Sequence, residues 1–226
     1  MQDLWVSQLG VVPYAEALEL QQALRDRRVA GQLPDLLLVL EHTPVYTKTR
    51  RSKPGDLPMG ERWYAERGIE ICDTDRGGLV TYHGPGQLVA YPIMAVERVA
   101  DFVHTMERAI VEALAYEGVA AEPRDTPSIG VWSGQSKIAS IGVRVRDGVS
   151  MHGLAVNVDN DLQPFEWIVP CGVEHSCVTS MARETGRSES LPCFRKRMAY
   201  RFCEAFERRQ RLVSPQRLLV PDVVAA

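Results

Sequence analysis

The sequence has no long apolar run, no secretory signal pattern and no excess of basic residues. Its longest purely aliphatic run, Leu36 to Leu40, is far shorter than the roughly 20 residues of a membrane-spanning helix, and it predicts a buried strand instead. The N-terminus carries Asp3 and no basic stretch ahead of an apolar one, so we expect no signal peptide. With 26 basic and 29 acidic side chains, the formal net charge of -3 argues against attraction of the whole surface to nucleic acid or to an anionic membrane.

Closely spaced cysteines are also missing. The 5 cysteines form an odd set without a C-x-x-C pair, which argues against a complete disulfide framework and against a zinc site of four thiolates. We therefore expect reduced thiols, a cytoplasmic location and no bound metal. The cysteines are Cys72, Cys171, Cys177, Cys193 and Cys203.

The chain does have length and an ordinary globular composition. Of its 226 residues, 45% are apolar and 24% are charged, as in soluble globular proteins. A chain of this size buries roughly 70% of the surface that it exposes when unfolded. Its core is therefore large enough to keep a pocket open, which is compatible with an enzyme that acts on a small molecule.

Hydrophobic periodicity predicts helices towards both ends of the chain and an antiparallel middle. Val103, Met106 and Ile110 recur at spacings of three and four, which is the apolar stripe of an amphipathic helix. From Ile129 to Val158 the period changes to two, with turn signals that indicate successive hairpins. The other expected strands are 4–9, 35–41, 69–72, 79–82 and 88–94, and the expected helices are 14–28, 100–116 and 192–211.

These elements predict an α+β fold in a single domain, with a sheet flanked by helices. No internal repeat or linker divides the chain. We expect one main domain over residues 1–213 and a loosely held tail over 214–226. Segment 48–60 carries four basic side chains, two prolines and two glycines, which is typical of a mobile loop.

The densest unusual segment is the glycine block, R-G-G-L-V-T-Y-H-G-P-G-Q at residues 76–87. Its glycines and proline are unfavourable in a strand unless the backbone approaches a ligand closely or adopts positive φ. Arg76, Tyr82 and His83 place polar groups beside that backbone. A strained hairpin with a hydrogen-bonded histidine would show the same pattern, so the block alone indicates no particular ligand.

Two later segments carry polar or small side chains within strand-like patterns. Lys137 interrupts S-K-I-A-S-I-G-V at residues 136–143, although on a solvent-facing side it would have no special meaning. In M-H-G-L-A-V-N-V at residues 151–158, Gly153 and Ala155 fall on one face at period two. Their small size predicts room over the sheet for a slender ligand.

A third feature is a cysteine in a turn. Cys171 lies between Pro170 and Gly172, a pattern that predicts a tight turn in which a thiol is exposed and an N–H group faces an oxyanion. A lone cysteine is more often a small buried apolar residue. We interpret the thiols outside residues 170–177 in that way, and the role of Cys177 stays open.

Five segments in a fixed order carry a family resemblance. They are E-H-T-P-V-Y-T at 41–47, the glycine block, the lysine strand, the Pro-Cys-Gly turn and V-T-S at 178–180. This set resembles the lipoyl(octanoyl) transferases of the biotin/lipoate protein ligase superfamily over nearly the whole chain. The resemblance implies that superfamily's catalytic fold with a mixed, mostly antiparallel sheet, Cys171 as nucleophile and Lys137 as its partner. The implied acyl site consists of Arg76, Gly77, Gly78, Leu79, Val80, Thr81, Tyr82, His83, Ser140, Ile141, Gly142, Gly153, Leu154 and Ala155.

The resemblance implies an activity: transfer of an octanoyl group from acyl carrier protein to a lysine of lipoyl domains, the first step of endogenous protein lipoylation. The implied acceptors are lipoyl domains of 2-oxoacid dehydrogenase complexes and the glycine cleavage H protein. No cofactor, nucleic acid or membrane is implied. A neighbouring ammonium favours the thiolate of a cysteine whose unperturbed pKa is about 8.5. Lys137 would therefore activate Cys171 and act as general acid and base, with His83 second, as a positioning group.

Acyl carrier proteins are strongly acidic, so a basic docking surface is expected on this chain. Charged runs are usually solvated faces, and the sequence does not choose between two candidates. One candidate is the loop that begins at residue 48, in which Thr49 and Ser52 replace glycines that are common in the family. The candidates are Lys48, Arg50, Arg51 and Lys53 in the loop, and Arg195, Lys196, Arg197 and Arg201 on the last helix.

Three other functions stay open. An ATP-dependent lipoate or biotin ligase of the same superfamily would activate a free acid, although such ligases typically lack a cysteine like Cys171. A cysteine hydrolase would release free acid without an acceptor domain. A non-catalytic carrier-binding module would tolerate the loss of Cys171.

Overall fold

The computed structural model describes residues 1–124, 129–169, 178–188 and 190–219. Its strands form a sheet of eight strands and a second sheet of three. The large sheet contains β1 (Asp3–Val12), β2 (Leu36–His42), β6 (Gln87–Ile93), β7 (Glu122–Pro123), β8 (Gly130–Ser133), β9 (Ser136–Arg146), β10 (Val149–Asn157) and β11 (Arg209–Leu212). The small sheet contains β3 (Val45–Thr49), β4 (Glu70–Thr74) and β5 (Thr81–His83).

The large sheet has the strand order β11-β1-β2-β6-β10-β9-β8-β7. Strand β1 is parallel to both of its neighbours, and the other neighbouring pairs are antiparallel. This arrangement confirms the α+β class and the mixed, mostly antiparallel sheet. The hairpins predicted between Ile129 and Val158 are β8, β9 and β10.

Helices cover both faces of this sheet. Their bounds are α1 (Tyr14–Val29), α2 (Glu61–Ala65), α3 (Val99–Tyr116), α4 (Gln163–Glu166), α5 (Met181–Thr185), α6 (Leu191–Ala205) and α7 (Pro215–Leu219). Along β2, Leu38 faces the core under α1, whereas Leu37 and Val39 face the core under α3 and α6. The Leu36–Leu40 run is apolar throughout because both of its faces are covered. Within the described residues, no helix is long and apolar enough to cross a membrane.

The small sheet has the order β4-β3-β5, which differs from the prediction in two ways. The sequence placed no strand at Val45–Thr49, yet β3 is the central strand. The predicted strands 69–72 and 79–82 flank a turn without pairing with each other, because β3 lies between β4 and β5. The mobile loop predicted from residue 48 therefore begins only after Thr49.

The last long helix is shorter than predicted. It ends at Ala205, whereas apolar spacing predicted helix as far as Arg211. Glu207 has a φ of 53°, a left-handed conformation that cannot continue a right-handed helix. The chain then enters β11, in which Arg209 pairs with Asp3 of β1.

The expectation of a loosely held tail is wrong for residues 215–219. They form α7, and Leu218 is buried in the core beside α1. The Leu218 carbonyl accepts a hydrogen bond from the Arg27 guanidinium. The described part of the tail therefore packs on the main domain, while residues 220–226 lie outside the described residues.

Candidate active site

A cavity of about 340 Å³ lies where the glycine block crosses strands β9 and β10. The crossing is fixed by the Gly77 N–H group, which donates to the Val143 carbonyl at 3.2 Å. Lys137 lines this cavity, and so do all of the predicted acyl-site residues except Tyr82. Those lining residues are Arg76, Gly77, Gly78, Leu79, Val80, Thr81, His83, Ser140, Ile141, Gly142, Gly153, Leu154 and Ala155.

Tyr82 points away from the cavity. Its ring packs between Tyr46 and Phe165, with centroids 5.5 Å from each. Side chains alternate in direction along a strand, so on β5 Thr81 and His83 face the cavity and Tyr82 does not. Burial raises the pKa of Tyr82 to about 12, which keeps its phenol neutral.

Two glycines of the site allow backbone segments to approach each other. A Cβ atom on Gly142 would lie 2.7 Å from the Gly77 carbonyl oxygen, and one on Gly153 would lie 2.2 Å from the Ala90 carbonyl oxygen. The direction of a Gly153 side chain is therefore occupied by β6. The predicted room for a ligand exists beside Ala155. For Gly153, the expectation that its small size leaves room for the ligand is wrong, because a side chain there would collide with β6.

Lys137 is buried, which overturns the alternative of a solvated surface lysine. It is only 7% exposed, its Nζ donates to the Ile129 carbonyl at 3.0 Å, and it lies 5.9 Å from the centre of the Trp132 ring. Placing an ammonium out of water is costly unless it is compensated by hydrogen bonds or charge. Such a position is typical of a functional lysine.

Gly130 is a residue of the site that sequence reasoning missed. A Cβ atom there would lie 2.6 Å from Cε of Lys137 and 2.2 Å from the Ala139 carbonyl oxygen. Any side chain would therefore displace the lysine or separate β8 from β9. The signal in the sequence was a glycine inside an alternating strand, which marks a close approach.

The backbone of Lys137 holds the segment that begins at Val178. The two residues form a parallel bridge, and the Lys137 carbonyl accepts a hydrogen bond from the Thr179 N–H group at 3.0 Å. Val169, the last described residue before Val178, donates its N–H group to the Asp56 carbonyl at 3.1 Å. The predicted nucleophile Cys171, its flanking turn and Cys177 lie outside the described residues.

A buried chain of amides connects this segment to His83. The Asn157 amide donates to the Thr179 carbonyl at 3.0 Å and accepts from Gln87 Nε2 at 2.9 Å. Gln87 Oε1 lies 2.7 Å from Nδ1 of His83. Because a carbonyl can only accept, the Thr179 carbonyl fixes both amides, and Nδ1 of His83 must carry the proton. Nε2 of His83 is then an acceptor that a ligand in the cavity can use.

Burial lowers the pKa of His83 to about 3, and the charge of nearby His42 acts in the same direction. The imidazole is therefore neutral at physiological pH. A group with so low a pKa is a weak general base. Its Nε2 can accept a hydrogen bond, and its role as a positioning group behind Lys137 stays a prediction.

His42, Tyr91 and Tyr14 surround His83 and were not predicted as site residues. Nδ1 of His42 donates to the Val12 carbonyl at 2.7 Å, which leaves Nε2 to accept from the Tyr91 hydroxyl at 2.7 Å. Burial lowers the pKa of His42 to about 4. The Tyr14 ring stacks on His83 at 6.2 Å. Tyr14 and Tyr91 also line the cavity.

His152 completes this histidine cluster, which we define as His42, His83 and His152. Its backbone has a φ of 58°, and its Nε2 donates to the Asp75 carboxylate at 2.8 Å. Asp75 also binds Arg144. Burial lowers the pKa of His152, the charges of Arg76 and Arg144 act in the same direction, and Asp75 only partly offsets them, so the ring stays neutral. Its buried Nδ1 has no hydrogen-bond partner among the described residues.

Arg76 ties the glycine block to the small sheet. Its guanidinium donates to the Thr47 hydroxyl at 2.7 Å and to the Leu79 carbonyl at 2.6 Å. These bonds hold the glycine block against β3. The predicted role of Arg76 in the acyl site is therefore accompanied by a structural one.

The three described thiols lie away from the cavity lining. Cys203 is buried, as predicted, and burial raises its pKa to about 12. Cys72 is half-buried. Cys193 is exposed, so the expectation that it is buried is wrong.

The cavity wall is basic. Arg51, Arg76 and Lys137 line it, and no described acidic residue does. The three histidines add no charge. This balance suits a negatively charged sulfur, an oxyanion or a phosphate. In the described ranges, no group of three or more His, Cys, Asp and Glu side chains is placed to hold a metal ion.

Residues 13–203 match the family described as the lipoyl protein ligase A/B catalytic domain. The chain is 40% identical over 216 residues to the octanoyltransferase of Chloroflexus aggregans, covering 92% of this chain and 97% of the relative. It is 42% identical over 186 residues to the mitochondrial octanoyltransferase LIP2 of Arabidopsis thaliana, covering 80% and 79%.

A solved structure shares the fold. It is the bipartite lipoate protein ligase of Thermoplasma acidophilum, which has a TM-score of 0.72 and 16% identity and covers 96% of this chain and 91% of that one. The fold predicted from the five segments is thereby confirmed.

Proposed function

The chain belongs to the lipoyl protein ligase A/B catalytic domain family, and we propose that this acyltransferase moves an octanoyl group from acyl carrier protein to a lysine of lipoyl domains through a thioester on Cys171. The observation that carries the proposal is the buried Lys137 in the wall of the cavity that holds the predicted acyl site. Octanoyl transfer for protein lipoylation follows from the octanoyltransferase relatives. The donor, the thioester and the residue roles are the proposal.

The first half-reaction forms the acyl-enzyme. The Lys137 ammonium favours the Cys171 thiolate, whose sulfur attacks the carbonyl carbon of the carrier thioester. The carbon–sulfur bond to the carrier breaks, and the departing pantetheine sulfur takes a proton from Lys137. Octanoyl-Cys171 and neutral Lys137 remain.

The second half-reaction consumes the acyl-enzyme. The acceptor lysine, whose reference pKa is about 10.4, must attack as a neutral amine. As its nitrogen bonds to the acyl carbon, neutral Lys137 takes the proton that the nitrogen loses. The Cys171 thiolate leaves, and the starting pair of ammonium and thiolate is restored. Nε2 of His83 can accept a hydrogen bond from the attacking amine and orient it.

Acyl chains are selected by burial in this proposal. At about 0.8 kcal/mol for each buried CH₂ group, the octanoyl tail of roughly seven carbons gains about 5 kcal/mol. Ala155, Leu154 and Ile141 provide the apolar wall. No nucleotide is needed, because the thioester is already activated. The absence of a cofactor and a cytoplasmic location remain predictions.

Intact-protein mass spectrometry tests the proposal. Incubation with octanoyl carrier protein without ATP should add one octanoyl group that hydroxylamine removes. The adduct should be absent from Cys171→Ala and present in the matched variant Cys177→Ala. Absence of any adduct, or an adduct that persists in Cys171→Ala, would contradict the mechanism.

An ATP-dependent ligase is the second candidate, because a solved neighbour with this fold is a lipoate ligase. The same mass measurement with free octanoate, ATP and a lipoyl domain separates the two. A ligase would modify the lipoyl domain under these conditions, whereas the proposed transferase leaves it unmodified.

A further inference from the structure

We propose that the basic loop, defined as Lys48, Arg50, Arg51 and Lys53, is the docking surface for the acidic carrier that delivers the acyl thioester. This inference rests on the proposed function. It chooses one of the two basic surfaces that the sequence offers as docking sites. The occupant is an acidic carrier domain whose thioester arm must enter the cavity.

The loop is tied to the cavity wall. The Thr49 hydroxyl donates to the Gly78 carbonyl at 2.9 Å, and Gly78 lines the cavity. The Thr49 N–H group donates to the Ser52 hydroxyl at 2.9 Å, which closes the turn. Thr49 and Ser52, the two departures from the family pattern, therefore fix the loop beside the cavity. Arg51 is both exposed and part of the cavity lining.

Three of the four positive charges of the loop have no ion-pair partner in the part of the chain that the structure describes. Arg50, Arg51 and Lys53 are exposed and form no ion pair within the described residues. Lys48 lies 3.7 Å from Asp73, whose side chain is 85% exposed. An ion pair with so exposed a partner is screened by water and weak. The loop therefore presents positive charge on a chain whose net charge is -3.

The competing surface on α6 differs in this respect. Arg195 pairs with Glu41 at 2.5 Å, Arg197 with Glu117 at 2.7 Å, and Arg201 with Glu204 at 2.7 Å. Each arginine of this set is locally neutralised. None of them lines the cavity. Of the four basic residues of the α6 surface, Lys196 alone is exposed and has no ion pair in the described ranges.

Electrostatic complementarity mainly raises the association rate of a charged partner. A carrier bound at the loop would place the start of its arm next to Arg51, from which the arm passes along the cavity wall to the acyl site. In this proposal, the negative charge that the loop binds is that of the acidic carrier surface. The phosphate of the arm is a separate source that the experiment distinguishes.

The test compares two double variants that each remove two exposed charges. Arg50→Ala with Lys53→Ala changes the loop and spares the cavity lining. Arg146→Ala with Lys196→Ala is the control, since both residues are exposed and outside the lining. Transfer to a lipoyl domain is measured with octanoyl carrier protein, octanoyl-phosphopantetheine and octanoyl-pantetheine at low and moderate salt.

The loop variant should lose about tenfold in kcat/KM with the carrier at low salt, and less at moderate salt. It should keep the wild-type rate with both small donors, and the control should stay within twofold throughout. If the loop variant loses no more kcat/KM with the carrier than the control does, the loop is not the docking surface. An equal loss with octanoyl-phosphopantetheine would also overturn it, in favour of phosphate binding alone. Failure of the proposed function would appear differently, as no transfer by the wild-type enzyme from any donor.

Discussion

Two buried polar regions at the cavity differ in what holds their side chains: a cluster of neutral histidine rings in one, and a backbone carbonyl at Lys137 Nζ in the other. In the histidine cluster, burial lowers the pKa of His42 to about 4 and that of His83 to about 3. In each ring, one nitrogen faces an oxygen that can only accept, and that nitrogen therefore carries the proton. The acceptor is the Val12 carbonyl for His42, the Asp75 carboxylate for His152 and the Gln87 side-chain carbonyl for His83. At the other region, Lys137 is held by a backbone carbonyl beside the start of the segment at Val178.

This difference assigns separate tasks to the two regions. Nε2 of His83 is a constant acceptor for a ligand in the cavity, and the rings of His42 and His83, whose pKa values are held at about 4 and about 3, do not take up protons near neutral pH. Proton transfer is therefore expected at Lys137, and orientation is expected at the histidine cluster. Four substitutions test this division, in order of decreasing effect.

Replacement of Lys137 by methionine should have the largest effect. Lys137→Met keeps the length of the side chain and removes its ammonium, so octanoyl transfer should fall by about 1,000-fold. The free energy of unfolding should not fall, because a buried charge has been removed. Rates on a lipoyl domain and urea unfolding measure both effects. Lys196→Met, on the exposed side of α6, is the control, and a loss below tenfold in Lys137→Met would assign proton transfer elsewhere.

Ala155→Phe tests the apolar wall between the two regions. The larger side chain should lower octanoyl transfer by about 100-fold and butanoyl transfer by less than tenfold, because four further CH₂ groups of about 0.8 kcal/mol each lose their site. Competition between the two pantetheine thioesters measures the ratio. Equal losses with both donors would remove Ala155 from the acyl site.

The histidine cluster should make stability depend on pH. Since the pKa of His83 is lowered by folding, the unfolded chain binds its proton first as pH falls below 6.5, and stability is lost in that direction. Between pH 6.5 and 4.5, the free energy of unfolding of the wild type should fall by about 2 kcal/mol more than that of His83→Gln. Denaturant titrations at both pH values give this difference, and parallel losses would show that His83 is not held neutral by the fold.

Asn157→Asp should have the smallest effect. It replaces the amide that donates to the Thr179 carbonyl by a carboxylate, so the segment from Val178 is held less well and transfer should slow by about tenfold at pH 8. Protonation of the new carboxyl group restores a donor, so the deficit of this variant should shrink as pH falls. A kcat/KM profile from pH 5.5 to 8.5 measures this trend. A deficit that is constant across the profile would mean that the donated hydrogen bond plays no part.

The sequence predicted the long elements and most of the cavity lining. Helix α3 was visible because Val103, Met106 and Ile110 repeat at helical spacing over a buried face. The glycine block, Lys137 and Ala155 stood out because each breaks the local pattern. Lys137 could not be distinguished from a solvated lysine until β8 and Gly130 were seen packed against it.

Other features depend on tertiary contacts that leave no local signal. His42, Tyr91 and His152 lie on three strands that are distant in sequence, and only the order of the sheet brings them together. Strand β3 was hidden because its polar half runs into the basic loop. The end of α6 was missed because Phe206 continues the apolar spacing beyond Ala205.

The central claim is that one acyl-enzyme links donor and acceptor through Lys137 and Cys171. The most direct measurement is a chase: octanoyl-enzyme, isolated free of donor, is mixed with a lipoyl domain and both proteins are weighed over time. Each octanoyl group lost from the enzyme should appear on the lipoyl domain, and acylated Lys137→Met should retain its adduct. An adduct that persists on the wild-type enzyme, or that is lost to water instead of the lipoyl domain, would contradict the account.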